Sequence, residues 1–337
     1  MTAQVGTLHA GDASAFGRVA VLMGGQSSER EISLISGKAV LQALQARGVE
    51  AVPLDLPVAQ LAEALAGGHF DRVWNALHGG AGEDGALQGL LECLAIPYTG
   101  SGVMASSVGM DKLRSKQLFE AAGLTTPPYR VLRARRDLTA AVGELGLPLA
   151  VKPNAEGSSV GVARVASEDD LEQAWAAASR YGDLVIAEQW VNGDEYTAGI
   201  LQGQVLPLVR IEAASGFYDY QAKYFSNDTR YHCPSGLPAA RESDLAAQAM
   251  RAYEAIGASG WGRVDFLLQG EQALFLELNT VPGMTRHSLV PMAAREAGID
   301  FETLVWRVLE TSLVRAKPGA ARLPSGAGEE EHDGQTP

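Results

Sequence analysis

Apolar residues in the first hundred positions alternate between short continuous runs and longer stretches in which they recur every three or four residues. The runs at 19–23, 51–54 and 73–77 have strand length; the stretches at 29–46 and 84–94 have helical spacing, and a shorter helix falls between the second and third strands. Strands and helices in this alternation predict a parallel α/β sheet. Within 29–46, Ile32, Ile35, Ala39 and Ala43 share one helical face, which is expected to pack on the sheet, with Glu29 and Arg30 at the helix start.

The pattern changes after Thr125-Thr-Pro-Pro128. A strand (129–132), a helix (138–145), a strand (149–152), a glycine- and serine-rich loop, a strand (160–165), a helix (168–180) and strands at 184–188 and 195–201 describe an α+β unit with antiparallel pairs. Ser167-Glu-Asp-Asp170 has the form of a capping box ahead of the second helix. A third region then runs through a polar aromatic stretch (217–231), a helix (241–256), a hairpin and a last helix (301–314). The expected division is a flexible arm (1–16), an N-terminal α/β domain (17–110), a central subdomain (111–203), a C-terminal subdomain (204–315) and a disordered tail (316–337), the two ends being small, polar or acidic in composition.

The hairpin departs from its own pattern. In Arg263-Val-Asp265-Phe-Leu-Leu-Gln-Gly270-Glu-Gln-Ala-Leu-Phe-Leu-Glu277-Leu-Asn279, polar residues interrupt two apolar strands joined by Gln269-Gly-Glu-Gln272. Side chains alternate along a strand, so Arg263 and Asp265 share one face of the first strand, and Glu277 and Asn279 one face of the second. If those faces coincide, two carboxylates and an amide converge beside an arginine. A divalent cation would offset the cost of burying them, and three oxygen donors with room for phosphate and water suit Mg²⁺ better than Zn²⁺ or Ca²⁺. The alternative is the charged solvent face of an edge hairpin.

Composition narrows the field. The 337-residue length suggests two or three domains, and the hydrophobic fraction of 46% is ample for real cores. Its net charge of −13 argues against a general nucleic-acid or anionic-membrane surface. Cys93 and Cys233 give neither a zinc spacing nor a disulfide framework. No apolar run reaches membrane-spanning length, and the first seventeen residues lack the features of a signal peptide, so a soluble cytoplasmic protein is expected.

Four loops are candidates for chemistry. Lys152-Pro-Asn-Ala-Glu-Gly157-Ser158-Ser159-Val-Gly161 lies between two predicted strands, where small residues let backbone N–H groups approach an anion. It lacks the Gly-Lys-Ser/Thr of a Walker A loop, and a ligand-free hairpin is the alternative. Gly24-Gly25-Gln-Ser-Ser-Glu29 follows the first strand, at the carboxyl edge where α/β sheets bind ligands, although a glutamate in a first helical turn also complements the helix dipole. His78-Gly-Gly-Ala-Gly82-Glu-Asp-Gly85 sits at the same edge; a lone histidine there is commonly structural. Tyr218-Asp-Tyr-Gln-Ala-Lys223-Tyr224 falls in a long loop.

Taken in order, Gly24-Gly25-Gln-Ser-Ser-Glu29-Arg-Glu, His78-Gly-x-x-Gly-Glu-Asp-Gly85, Met110-Asp-Lys112, Lys152 with Glu-Gly157-Ser158-Ser159, Tyr218-Asp-Tyr-x-Ala-Lys223-Tyr224, Gly262-Arg263-x-Asp265 and Glu277-x-Asn279-Thr-x-Pro-Gly283-Met-Thr closely resemble the D-alanine–D-alanine ligase family of the ATP-grasp superfamily. The match spans about residues 18–315. The resemblance implies a three-domain ATP-grasp architecture, α/β and α+β in class, with ATP between the central and C-terminal domains. It implies ligation of two D-alanine molecules through an acyl phosphate, with ATP as co-substrate and two Mg²⁺ ions, Mn²⁺ able to substitute. It also implies a homodimer that supplies a peptidoglycan precursor.

Residue roles follow from the same resemblance. Asp265, Glu277 and Asn279 would hold metal; Lys112, Lys152, Gly157, Ser158, Ser159 and Lys223 would face the phosphates. Glu188, Gln189, Trp190 and Glu195 would contact adenine and ribose, although a lysine is common at the position of Gln189. Glu29 would take the first substrate's ammonium with His78 lining that subsite, and Ser288 and Leu289 the second substrate's carboxylate. Arg263 and the Gly283 N–H would stabilise the tetrahedral oxyanion. Glu29, Ser158 and Tyr224 look like the group that closes the 217–231 loop, and Lys223-Tyr224 points to D-alanine rather than D-lactate as second substrate.

Overall fold

The structure, a computed structural model, describes residues 9–213 and 228–315. Among them are three sheets. β1 (Arg18–Leu22), β2 (Glu50–Leu54) and β3 (Arg72–Asn75) form a parallel sheet in the order β2-β1-β3. β4 (Tyr129–Leu132), β5 (Leu149–Pro153), β6 (Ala163–Val165) and β7 (Val185–Gln189) form an antiparallel sheet in the order β4-β7-β5-β6. The third sheet runs β11-β10-β8-β12-β13, from β8 (Asp194–Leu201), β10 (Val209–Glu212), β11 (Arg230–His232), β12 (Trp261–Gln269) and β13 (Gln272–Asn279), with β9 (Gln204–Val205) paired to β8.

The expected division at residue 203 is corrected by these pairings. β8 was expected with the central unit, yet it pairs with β12 from Asp194↔Leu268 to Trp261↔Leu201, and with β10, so it lies inside the third sheet. The helix Lys112–Ala121 also leaves the central unit: it packs on β13 and on the helix Ala239–Ala255. What remains centrally is a four-stranded lobe with its own core of Leu132, Leu149, Val151, Val165 and Val185.

The parallel sheet and the third sheet, by contrast, share one core. Val19, Val21 and Trp74 are in the same buried cluster as Trp261, Val281, Val290, Leu304 and Val308, and the Trp74 and Trp261 rings lie 5.6 Å apart. The arm joins that cluster too. Phe16 is buried edge-on against Trp306, and the Ala10 N–H donates to Glu310, so the arm is anchored at these two points while most of residues 9–15 stay exposed. The 1–8 and 316–337 expectations lie outside the described residues.

The helix Arg30–Ala46 turns a different face to the sheet from the one expected. Its buried residues are Ser33, Ser36, Gly37, Val40, Ala43 and Leu44, while Ile35 is exposed. Small residues win because the approach is close: a Cβ on Gly37 would stand 2.4 Å from that of Met23. The serines bond to backbone, Ser33 Oγ donating to the Ala76 carbonyl at 2.7 Å. The capping box at Ser167 and Asp170 forms as expected, and an additional helix, Leu289–Glu296, follows the third sheet. Among the described residues no helix is long and apolar enough to cross a membrane.

Candidate active site

The hairpin brings its polar residues together. Asp265 pairs directly with Glu277, and Arg263 with Asn279, across antiparallel β12 and β13. The register shifts between Asp265 and Phe266, with Leu276 as the extra residue of β13. Glu277 and Phe275 would share a face in a regular strand. The shift lets Phe275 enter the core while Glu277 lines a cleft.

Asp265 is almost wholly enclosed by donors. Arg263 Nε and Nη2 donate to its two oxygens at 2.9 and 2.7 Å, Thr197 Oγ1 at 2.5 Å and Asn279 Nδ2 at 3.0 Å. Glu277 is met by Lys112 Nζ at 3.1 Å. Two carboxylates and an amide on one face, each carboxylate offset by a protein cation, form an oxygen donor set that fits a hard divalent ion. No group of three His, Cys, Asp or Glu side chains suited to a metal occurs among the described residues, so further ligands would be phosphate oxygens and water.

A cleft of about 270 Å³ opens between the central lobe and the third sheet. Lys112, Lys152, Ser159, Glu188, Gln189, Trp190 and Glu195 line it beside Asp265 and Glu277. Lys152 is the penultimate residue of β5 and reaches Glu188 Oε1 at 2.7 Å. Burial alone would raise the Glu188 carboxyl, but the adjacent ammonium groups of Lys116 and Lys152 outweigh it and hold the group below the usual glutamate value. Arg164 stacks over Trp190, its guanidinium 5.0 Å from the ring.

A second pocket of about 320 Å³ adjoins the hairpin at Arg263 and Asn279. Glu29, His78, Arg263, Gly283, Ser288 and Leu289, expected from the sequence around the substrates, line it together with Asn279, and so do Gly157 and Ser158, which were expected at the ATP phosphates but do not line the cleft. Ser158 Oγ donates to Glu29 Oε1, tying the 154–162 loop to the parallel sheet's edge. Ser158 and Ser159 reach that position with φ of 49° and 58°, a region L-residues rarely adopt. Ser288 occupies the N-cap position of the helix Leu289–Glu296 without a side-chain cap bond, leaving N-terminal N–H groups and a dipole that favour an anion.

His78 lines this pocket, but both ring nitrogens are engaged in holding it. Nδ1 lies 3.0 Å from the Val281 carbonyl, which can only accept, so the ring proton is there. Nε2 then accepts from Ser36 Oγ at 3.0 Å, and the same hydroxyl oxygen accepts from the Met284 N–H at 3.1 Å. Lys223 and Tyr224 lie outside the described residues.

The sequence reading passed over Lys116, Thr197, Ser36, Ile32, Tyr231 and His287, all of which touch or line the site. Tyr231 ends the 217–231 stretch, His287 adjoins Ser288, and Lys116 follows Lys112 by four residues, hence on the same helical face; Thr197 and Ser36 carried no local signal.

Two antiparallel sheets enclosing a lysine-lined cleft, with an acidic hairpin at its floor and a second polar pocket beyond, define an ATP-grasp carboxylate–amine ligase. Family models for the D-ala D-ala ligase N-terminus and C-terminus match residues 18–61 with 57–101, and 118–310. The chain belongs to the D-alanine–D-alanine ligase family. It is 55% identical over 302 residues to the D-alanine–D-alanine ligase of Methylococcus capsulatus, covering 89% of this chain and 97% of that one. The solved D-alanine–D-alanine ligase of Bacillus anthracis superposes with a TM-score of 0.80 at 37% identity, covering 88% of this chain and 98% of that one. The same enzyme complexed with ATP gives 0.79 at 35% identity, with the same coverage.

Proposed function

We propose that this chain joins two D-alanine molecules at the expense of ATP, with the nucleotide in the cleft and both amino acids in the second pocket. The observation that carries the reading is the hairpin itself: Arg263, Asp265, Glu277 and Asn279 share one face and border both cavities. A reaction that passes a phosphoryl group from nucleotide to substrate needs such a boundary.

The carboxylate of the first D-alanine attacks the γ-phosphorus, releasing ADP and leaving an acyl phosphate. The amine of the second attacks that carbonyl, and phosphate departs from the tetrahedral intermediate. Glu29 binds the first ammonium, and Ser288 with the helix N-terminus behind it binds the second carboxylate. Lys112, Lys152 and Lys223 offset phosphate charge. Arg263, fixed by its two bonds to Asp265, faces the oxyanion with the Gly283 N–H. Asp265, Glu277 and Asn279 would hold Mg²⁺, which would supply charge neutralisation at the nucleotide phosphates. His78 contributes by orientation, since its nitrogens are engaged by Val281 and Ser36.

Lys223-Tyr224 supports D-alanine over D-lactate as the second substrate, by analogy with depsipeptide-forming relatives. A homodimer in the cytoplasm is part of the same reading. The test is ADP release followed with D-alanine, L-alanine and D-lactate. The assignment requires Mg²⁺-dependent release with D-alanine; release with L-alanine and none with D-alanine would sink it.

A further inference from the structure

Two lysines share one oxygen beneath the nucleotide cleft. Glu188 Oε1 lies 2.7 Å from Lys152 Nζ and 2.7 Å from Lys116 Nζ. The lysines differ in what they face. Lys152 lines the cleft, whereas Lys116 is wholly buried, does not line it, and comes from the helix Lys112–Ala121, which packs on the third sheet. Lys116 Nζ also donates to Thr126 Oγ1 at 2.6 Å, at the crossover into the central lobe, and sits 5.5 Å from the centre of the Tyr129 ring.

We propose that Lys116 is a positioning residue for nucleotide binding: by satisfying Glu188 from below, it lets the Lys152 ammonium turn from that carboxylate to a bound phosphate. With both lysines charged, two ammonium groups meet the one Glu188 carboxylate, and the one that faces the cleft is Lys152. With Lys116 neutral, Lys152 becomes the sole counter-ion of a buried glutamate. Leaving it for phosphate would then strand a desolvated carboxylate. This rests on the assignment of ATP phosphates to Lys152.

The arrangement has a pH signature. Burial pushes the Lys116 ammonium down to about 8; Glu188 and Glu120 oppose the shift and Lys152 adds to it. The groups facing it are Glu188 on β7, Lys152 on β5, Tyr129 on β4 and Glu120 on its own helix. Protonated Lys116 supports binding, so nucleotide affinity falls as pH rises through that value.

The experiment is equilibrium titration of the full chain with the non-hydrolysable analogue AMP-PNP and Mg²⁺, from about pH 6.5 to 9.5, a window that brackets the Lys116 transition. Wild-type affinity is expected to be constant at the acid end and to fall roughly tenfold across the alkaline limb. Lys116→Met should bind roughly tenfold more weakly at every pH and show no limb. Lys116→Arg, which keeps its charge throughout, should restore acid-side affinity and also lose the limb. A wild type without an alkaline limb overturns the proposal, and needs no variant to fold. Lys116→Met binding like wild type, or Lys116→Arg retaining the wild-type limb, overturns it as well. Lys152→Met separates the two assignments. Unchanged AMP-PNP affinity in that variant removes the phosphate site itself, whereas a loss there with unaltered Lys116 variants removes only the role of Lys116.

Discussion

The Ser158 hydroxyl donates to the Glu29 carboxylate across the pocket, joining the glycine-rich loop of the central lobe to the first helix of the parallel sheet. The same carboxylate is hemmed in by two glycines: a Cβ on Gly79 would come within 2.7 Å of Glu29 Oε2, and one on Gly157 within 3.1 Å. Ser158→Ala removes the loop's anchor on Glu29. We expect kcat/KM for the first D-alanine to fall by about 10- to 100-fold through misplacement of that substrate, with KM for ATP less affected. Initial rates over a D-alanine series at saturating ATP check this.

Arg263→Met is expected to lower turnover by roughly 10²–10³, the usual cost of an oxyanion donor. Arg263→Lys should not rescue it. Nε and Nη2 both engage Asp265, and an ammonium cannot reproduce that fork. Single-turnover rates at saturating substrate provide the measurement.

Asp265→Asn and Glu277→Gln test the metal assignment. Each should raise the Mg²⁺ concentration needed for half-maximal activity and reduce turnover by about two orders of magnitude, since several kcal/mol of charge stabilisation are at stake. Far-UV circular dichroism should be unchanged. Full activity of both variants at low Mg²⁺ would remove these residues as ligands.

Glu188→Gln should destabilise the protein by about 3–5 kcal/mol at neutral pH, because Lys116 and Lys152 are left buried without a counter-charge. The folded-state carboxyl of Glu188 is held below its ordinary value of 4.5, so its contribution is present above that value and lost as pH falls through the lower folded one. The gap between variant and wild type should therefore narrow toward acid. Urea unfolding midpoints at neutral and acid pH measure it.

Period-two alternation was enough to put Arg263, Asp265, Glu277 and Asn279 on matching faces, because each strand's pattern is local. The bulge at Leu276 was not visible, since it exists only relative to β12. Long-range partners were equally hidden. Nothing near Thr197 signals that it will donate to Asp265, and β8 was assigned to the wrong lobe because β12, its partner, lies sixty residues further on. Ile32 and Ile35 misled for a different reason. Hydrophobic spacing finds the apolar face of a helix, but here the sheet accepts only the small face, and the two isoleucines are left to line the pocket.

The continuous core from Val19 to Val308 makes the molecule mechanically two pieces instead of three. Bonds from Ser36 to Met284, His78 to Val281, and Arg72 to Ser312 fasten the outer sheets into a single anvil. The four-stranded lobe is the hammer, attached through the crossovers at 125–128 and 190–193. Apart from Gly157 and Ser158, which the hammer lends, every described residue that lines the second pocket belongs to the anvil.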